Sequence, residues 1–288
     1  MTDPASQQTS RSRLRQAIKL CVPPIVLLLL RRMKRPAPQF IGPFSSWLAA
    51  PVESRGWEEQ NLLARTLKLA LAVRDGDVAY QYDGFAFEQI VYSETVLAFL
   101  ALGAQLNAGA IDVLDVGGSL GTNFEQNRKL LRPYIDAGKC RWTVLEVPET
   151  ARLGAAHLAT ESLRFVGDIG DVAGPTPCVL FSGSLQYLEQ PLAIIDRLIA
   201  MGAALIAFDR VFVGEGPAHR VFVHQPPQDT YPGVAWRVWH FSRRCLVAEM
   251  AERGFELVET FRGDGAADGI ASCGMIFRRP LKPDVAAQ

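Results

Sequence analysis

The stretch Asp112-Val-Leu-Asp-Val-Gly-Gly-Ser-Leu-Gly-Thr122 constrains this chain more than any other. An apolar run ends in an acid, Asp115, and a turn holding Gly117, Gly118 and Gly121 follows, after which a helix can begin at Asn123. Glycines let a backbone approach a ligand without Cβ interference, and a helix N-terminus offers unpaired N–H groups to a carboxylate or phosphate. The turn is therefore a candidate binding loop. A purely structural βα turn is the competing reading, but it leaves the acid at the strand end in want of a polar partner. A dinucleotide fingerprint requires G-x-G-x-x-G; counted from Gly117, Ser119 stands where the second glycine belongs, which disfavours NAD.

Around this stretch, short apolar runs alternate with helical patterns, as in a parallel sheet built from βα units. The runs are Ile111–Val116, Trp142–Val147, Leu163–Val166, Cys178–Ser182 and Ala203–Val211, with helical spacing in Gln126–Leu131, Glu149–Ala159 and Leu192–Ala200. A last helix, Arg243–Arg253, precedes Phe255–Phe261 and Ala271–Arg278, which read as an antiparallel hairpin across the glycine-rich loop Arg262–Gly269. Upstream, Glu58–Val73 and Gln89–Leu106 carry apolar residues at helical spacing. The expected organisation is a basic tail with a short apolar helix (1–40), a helical extension (41–108) and an α/β domain (109–288) with seven strands.

The run from Asp115 to Gly121 resembles the first motif of the class I S-adenosylmethionine-dependent methyltransferases. That resemblance implies a Rossmann-like, mostly parallel sheet with a C-terminal antiparallel hairpin, and S-adenosyl-L-methionine as cofactor. It places Gly117, Gly118, Ser119 and Gly121 on the loop that holds the methionine part, with Asp115 as its acidic start. Trp142-Thr-Val-Leu-Glu146 is similar to the next strand, whose terminal acid takes the ribose hydroxyls; a carboxylate can accept both. Arg164-Phe-Val-Gly-Asp168-Ile is similar to the third motif, whose acid contacts the adenine amino group, although an Asp at a strand end also serves as a cap. Val179–Leu188 matches the segment facing the transferred methyl, with Ser182, Gln186 and Tyr187 as its polar groups. A narrower resemblance, carried by Gly-Gly-Ser-Leu-Gly, Ser-Gly-Ser-Leu-Gln-Tyr, Phe-Asp-Arg and the later His-Gln-Pro-Pro with Tyr231-Pro232, is to a bacterial family associated with surface-polysaccharide biosynthesis. It implies methylation of a small-molecule or saccharide-type hydroxyl.

Such a transfer needs alignment above all, and a base if the acceptor is a hydroxyl. Asp209, His219 and His224 follow the fifth strand; His224 is the preferred base, with Tyr187 and Asp209 as further catalytic candidates. Arg210 is expected to pair with Asp209 or with an acidic acceptor. Tyr231, Trp236, Trp239, His240 and Phe241 form an aromatic cluster that suits an acceptor lid or core packing. The competing functions are an NAD- or nucleotide-sugar-binding enzyme and a non-catalytic scaffold of the same fold.

Composition narrows the partners. Lys and Arg number 30 against 30 for Asp and Glu. Arg11, Arg13, Arg15, Lys19, Arg31, Arg32, Lys34 and Arg35 crowd the tail against one acid, Asp3, so the body is acidic and nucleic acid is not an expected ligand. The five cysteines show no ligand or disulfide spacing, which suggests a reducing cytoplasm and no metal. The apolar run Leu20–Leu30 is too short to span a bilayer, and basic residues rather than a cleavage site follow it. Two readings remain for residues 11–35: a helix packed on the body, or peripheral contact with an anionic membrane.

Overall fold

The computed structural model describes residues 39–53, 60–226, 231–263 and 271–280. The expected tail helix, the residues from Glu58 that open the first predicted helix, and most of the Arg262–Gly269 loop lie outside the described residues. In chain order the strands are β1 (Gln39–Phe44), β2 (Tyr80–Tyr82), β3 (Phe85–Phe87), β4 (Ile111–Val116), β5 (Cys140–Leu145), β6 (Leu163–Val166), β7 (Cys178–Ser182), β8 (Leu205–Gly214), β9 (Arg220–Gln225), β10 (Trp236–Ser242), β11 (Glu256–Arg262) and β12 (Ala271–Arg278). The helices are α1 (Gln60–Asp75), α2 (Glu94–Leu106), α3 (Thr122–Asp136), α4 (Pro148–His157), α5 (Pro191–Ala200) and α6 (Arg243–Glu252).

Strands β6, β5, β4, β7 and β8 lie side by side and parallel. Beyond β8 the direction reverses: β12 pairs antiparallel with β8, and β11 antiparallel with β12. This is the Rossmann-like sheet expected, mostly parallel and finished by an antiparallel hairpin. β7 and the first half of β8 are buried at every residue because both faces of the sheet are covered there. One face packs on α2 and α3 through Val96, Phe99, Phe124, Leu131 and Trp142; the other packs on α5 and α6 through Ile195, Leu198, Leu246 and Met250. Cys178 is 1% exposed inside this core, and burial pushes its thiol up to about 12, as suits a small buried hydrophobe.

Two regions differ from expectation. The segment 41–108 holds α1 and α2 but is not purely helical. Asp83 (φ 49°) and Gly84 (φ 76°) join β2 to β3 in a tight hairpin, both in the left-handed region that such turns demand. The stretch between β8 and α6, whose aromatics suited either an acceptor lid or core packing, forms two strands that sequence reading does not place there. β9 and β10 pair antiparallel, β1 adds to β9, and β10 runs into register with the end of β8 at Phe241 and Val213. The alternation is the cause: Val221 and Val223 pack on one face with Ala50, while Trp236 and Val238 pack on the other with Phe40, Phe212 and Phe222.

Among the described residues no helix is long and apolar enough to cross a membrane.

Candidate functional site

The chain order reverses between β4 and β7, and the crevice at such a switch point, outside the carboxyl ends of the strands, is where open α/β sheets bind ligands. A cavity of about 350 Å³ opens there, within the range of small-molecule sites. Gly117, Gly118 and Ser119 line it after β4, Glu146 and Val147 after β5, Ser182 to Ser184 and Gln186 to Leu188 at and after β7, and Arg210 and Phe212 on β8. Leu62, Leu63 and Thr66 of α1 and Tyr82 and Asp83 of the hairpin add a further wall, with Thr122 and Asn123 of α3, Thr150 of α4 and Ser272 of β12 completing the lining.

The loop end is held by backbone geometry. Gly117 has φ 71°, and a Cβ there would sit 2.5 Å from that of Ser184. Ser119, at φ 54°, donates its N–H to Glu146 Oε1 at 2.9 Å, and Val147 N donates to Oε2 at 2.9 Å. Two main-chain amides thereby fix the Glu146 carboxylate against the loop. Gly121 (φ 78°) caps α3 without a side chain, its Cβ position 3.1 Å from Leu163.

Asp115 stands behind the loop rather than in the cavity. It is 1% exposed and accepts from Asn123 Nδ2 at 3.1 Å and Trp142 Nε1 at 3.2 Å, tying the first turn of α3 to β5. Burial pushes its carboxyl up to about 7 against those two donors. A Cβ on Gly118 would lie 2.5 Å from this carboxylate. The glycine therefore makes room first for Asp115, where the sequence reading gave the ligand as the reason.

At the other end, Asp209 is saturated. It is 3% exposed; Ser93 Oγ donates to Oδ1 at 2.8 Å, Ser182 Oγ to Oδ2 at 2.6 Å, and Arg210 Nη1 lies 3.1 Å from Oδ2. Of the two partners expected for Arg210, Asp209 is the one it pairs with here. Arg210, in the left-handed region at φ 54°, also donates to Ser182 Oγ at 2.8 Å and stacks over the Tyr82 ring at 4.6 Å. Tyr187 lines the cavity, its hydroxyl pushed well above the usual tyrosine range by burial, which keeps it neutral.

Other candidates stand apart. His224 lies outside the cavity lining, stacked on Phe40 at 4.8 Å and close to Trp236, and burial lowers its imidazole to about 4. Asp168 is exposed and caps a single turn through Gly170 N at 2.7 Å. His219 bridges Glu249 at 2.9 Å and accepts from Ser242 N at 2.9 Å, bracing the start of α6. Neither Asp168 nor His219 lines the cavity. Sequence reading missed Tyr82 and Asp83, although Asp-Gly between Tyr80-Gln-Tyr82 and Phe85-Ala-Phe87 is a hairpin signal.

No family model matches the chain, and no curated protein matches it. Among solved structures, the chain is similar to 1,6-didemethyltoxoflavin-N1-methyltransferase of Burkholderia thailandensis, which holds 1,6-didemethyltoxoflavin and S-adenosylhomocysteine. Identity is 18% and the TM-score 0.43, over 84% of this chain and 96% of that one. The N-terminal domain of EvdMO1 with S-adenosylhomocysteine bound is similar at 16% identity and TM-score 0.47, over 74% and 96%. Magnesium protoporphyrin IX methyltransferase from Synechocystis PCC 6803, with S-adenosylmethionine bound, is similar at 14% and 0.41, over 65% and 78%.

Proposed function

We propose that this chain is an S-adenosylmethionine-dependent methyltransferase that methylates a small-molecule hydroxyl, with saccharide-type acceptors included by the narrower motif resemblance. The observation that carries the reading is one cavity, at the switch point, that joins the Gly117–Ser119 loop and Glu146 to a polar and aromatic far wall. The residues fit the cofactor. Main-chain N–H groups of the loop suit its carboxylate, and Glu146, oriented by Ser119 and Val147, suits a vicinal diol. Asp115 acts through the loop as a positioning residue. The cofactor supplies a methyl group already activated by a sulfonium, so the protein's part is to align an acceptor and exclude water.

Ser182 acts in holding Asp209 and Arg210, and Tyr187 as a neutral hydrogen-bonding group on the far wall. Contact with an anionic membrane through residues 11–35 belongs to this reading as a matter of location, not of chemistry. Calorimetric titration of the purified chain with S-adenosylhomocysteine tests the cofactor assignment. Glu146→Ala should weaken binding by about 1–3 kcal/mol. Failure of folded protein to bind either S-adenosyl compound, together with binding of NAD or a nucleotide sugar, would overturn it.

A further inference from the structure

The far wall has an electrostatic character of its own. Arg210 is the only Lys or Arg among the described residues lining the cavity, and its charge is matched by Asp209 at 3.1 Å. Two acids, Asp83 and Glu146, line the same cavity. An anionic acceptor at the far wall would meet the Asp83 carboxyl group and an already paired guanidinium. Gln186 is 2% exposed, and both its amide hydrogens are directed to carbonyls, Gly183 O and Arg210 O, each at 3.2 Å. That bonding fixes which end of the amide is oxygen, and Oε1 is buried with no donor among the described residues. A buried acceptor without a donor is costly, so this one calls for a donor from a ligand.

Asp83 is a turn residue, and turn tips are normally solvated and mobile. This one is clamped on three sides. Gln81 Nε2 donates to Thr122 Oγ1 at 2.8 Å, fastening the hairpin to the start of α3 just past the glycine loop. Tyr231 Oη donates to the Asp83 carbonyl at 3.3 Å. Arg65 lies over the Phe85 ring at 4.5 Å, behind the turn. The turn itself is held firmly, which keeps the Asp83 carboxyl group at the wall of the ligand cavity, an arrangement suited to a task.

We propose that the far wall is an acceptor subsite for a neutral small molecule presenting O–H or N–H donors to Asp83 and Gln186, and that Asp83 takes the acceptor's proton. The inference rests on the methyltransferase reading. In the step, a lone pair of the acceptor heteroatom forms the bond to the methyl carbon, and the carbon–sulfur bond breaks with its electron pair passing to sulfur. The acceptor's proton passes to the Asp83 carboxylate, which returns it to water. Burial pushes this carboxyl up to about 6, against the pull of Arg210, the Tyr82 hydroxyl and Arg65, a range suited to proton exchange near neutrality.

The test uses the full chain loaded with S-adenosylhomocysteine and three probes of one shape: 4-nitrophenol, 4-nitroanisole, which lacks the donor, and 4-nitrobenzoate, which is an anion. Wild-type protein should bind 4-nitrophenol at least about tenfold more tightly than the other two, a difference of about 1.4 kcal/mol. It should hold the phenol neutral, bleaching its phenolate absorbance at mildly alkaline pH. Asp83→Asn suits the turn, since Asn tolerates positive φ; it should keep its affinity for S-adenosylhomocysteine while losing both the preference and the bleaching. Binding of 4-nitrobenzoate as tight as that of 4-nitrophenol, an unchanged spectrum in the Asn variant, or no binding of any probe would overturn the proposal. Failure of S-adenosylhomocysteine to bind wild-type protein strikes the methyltransferase reading instead, and the ranking of probes on the unloaded chain still decides the subsite.

Discussion

At the scale of single residues, the glycine loop is governed by an acid buried behind it, outside the cavity lining. Because a Cβ on Gly118 would meet the Asp115 carboxylate at 2.5 Å, Gly118→Ala is expected to destabilise the fold itself by about 1–3 kcal/mol. Removing the obstacle should then relieve part of the loss: in a double-mutant cycle, Asp115→Ala and Gly118→Ala should show a coupling energy of at least about 0.5 kcal/mol in denaturant unfolding. Additive effects would mean that the glycine answers to something else. The sequence could name both residues but not the contact, since a motif records which residue types recur and not which of them needs the space.

His224 makes the complementary case. A histidine after the fifth strand is a fair base by residue type, but strand alternation turns it into the aromatic face with Phe40 and Trp236, away from the cavity lining. Its folded imidazole is lowered to about 4, below the usual 6.5 of an unfolded chain, so its contribution to stability is complete above the unfolded value and is lost as pH falls toward the folded one. A phenylalanine there does not titrate. His224→Phe should therefore gain on wild type by roughly 2 kcal/mol between about pH 8 and about pH 5, read from thermal or denaturant unfolding at the two pH values. A stability difference independent of pH would show that the imidazole is not buried in its neutral form.

At the scale of elements, what was legible is what local chemistry dictates. The parallel core was readable because β4, β6 and β7 are short apolar runs bounded by turn residues, and their ends in the structure match those read from the sequence. The antiparallel layer was not. β9 and β10 interleave Val221 and Val223 with Phe222 and His224, so that both faces are apolar or aromatic, and a two-faced strand reads as an undirected cluster. β2 and β3 have three residues each and depend on the Asp83-Gly84 turn and the Gln81–Thr122 hydrogen bond, a contact 41 positions apart. Half of the candidate site was visible for the same reason: the loop and Glu146 sit at strand ends, whereas Asp83 reaches the cavity only through a long-range packing that no local pattern announces.

At the scale of the whole molecule, the described body and the basic tail answer to different physics. Every cavity-lining residue falls between Leu62 and Ser272, whereas the eight basic residues of the tail and its apolar run precede Gln39. Gln39 also opens β1, whose pairing with β9 begins at that residue, so a cut placed there spares the antiparallel layer and a deeper cut would strip an edge strand from it. A chain starting at Gln39 is accordingly expected to fold and to keep its affinity for S-adenosylhomocysteine within about twofold, well inside the 1.4 kcal/mol of a tenfold change. Basic residues near an anionic leaflet contribute roughly 1 kcal/mol each, and that attraction is screened by salt. If the tail addresses the protein to such a surface, the full chain should sediment with anionic liposomes at low salt and release at moderate salt, and the shortened chain should do neither. If instead the full chain never sediments and the shortened one unfolds, residues before Gln39 pack on the body, and the membrane reading is wrong.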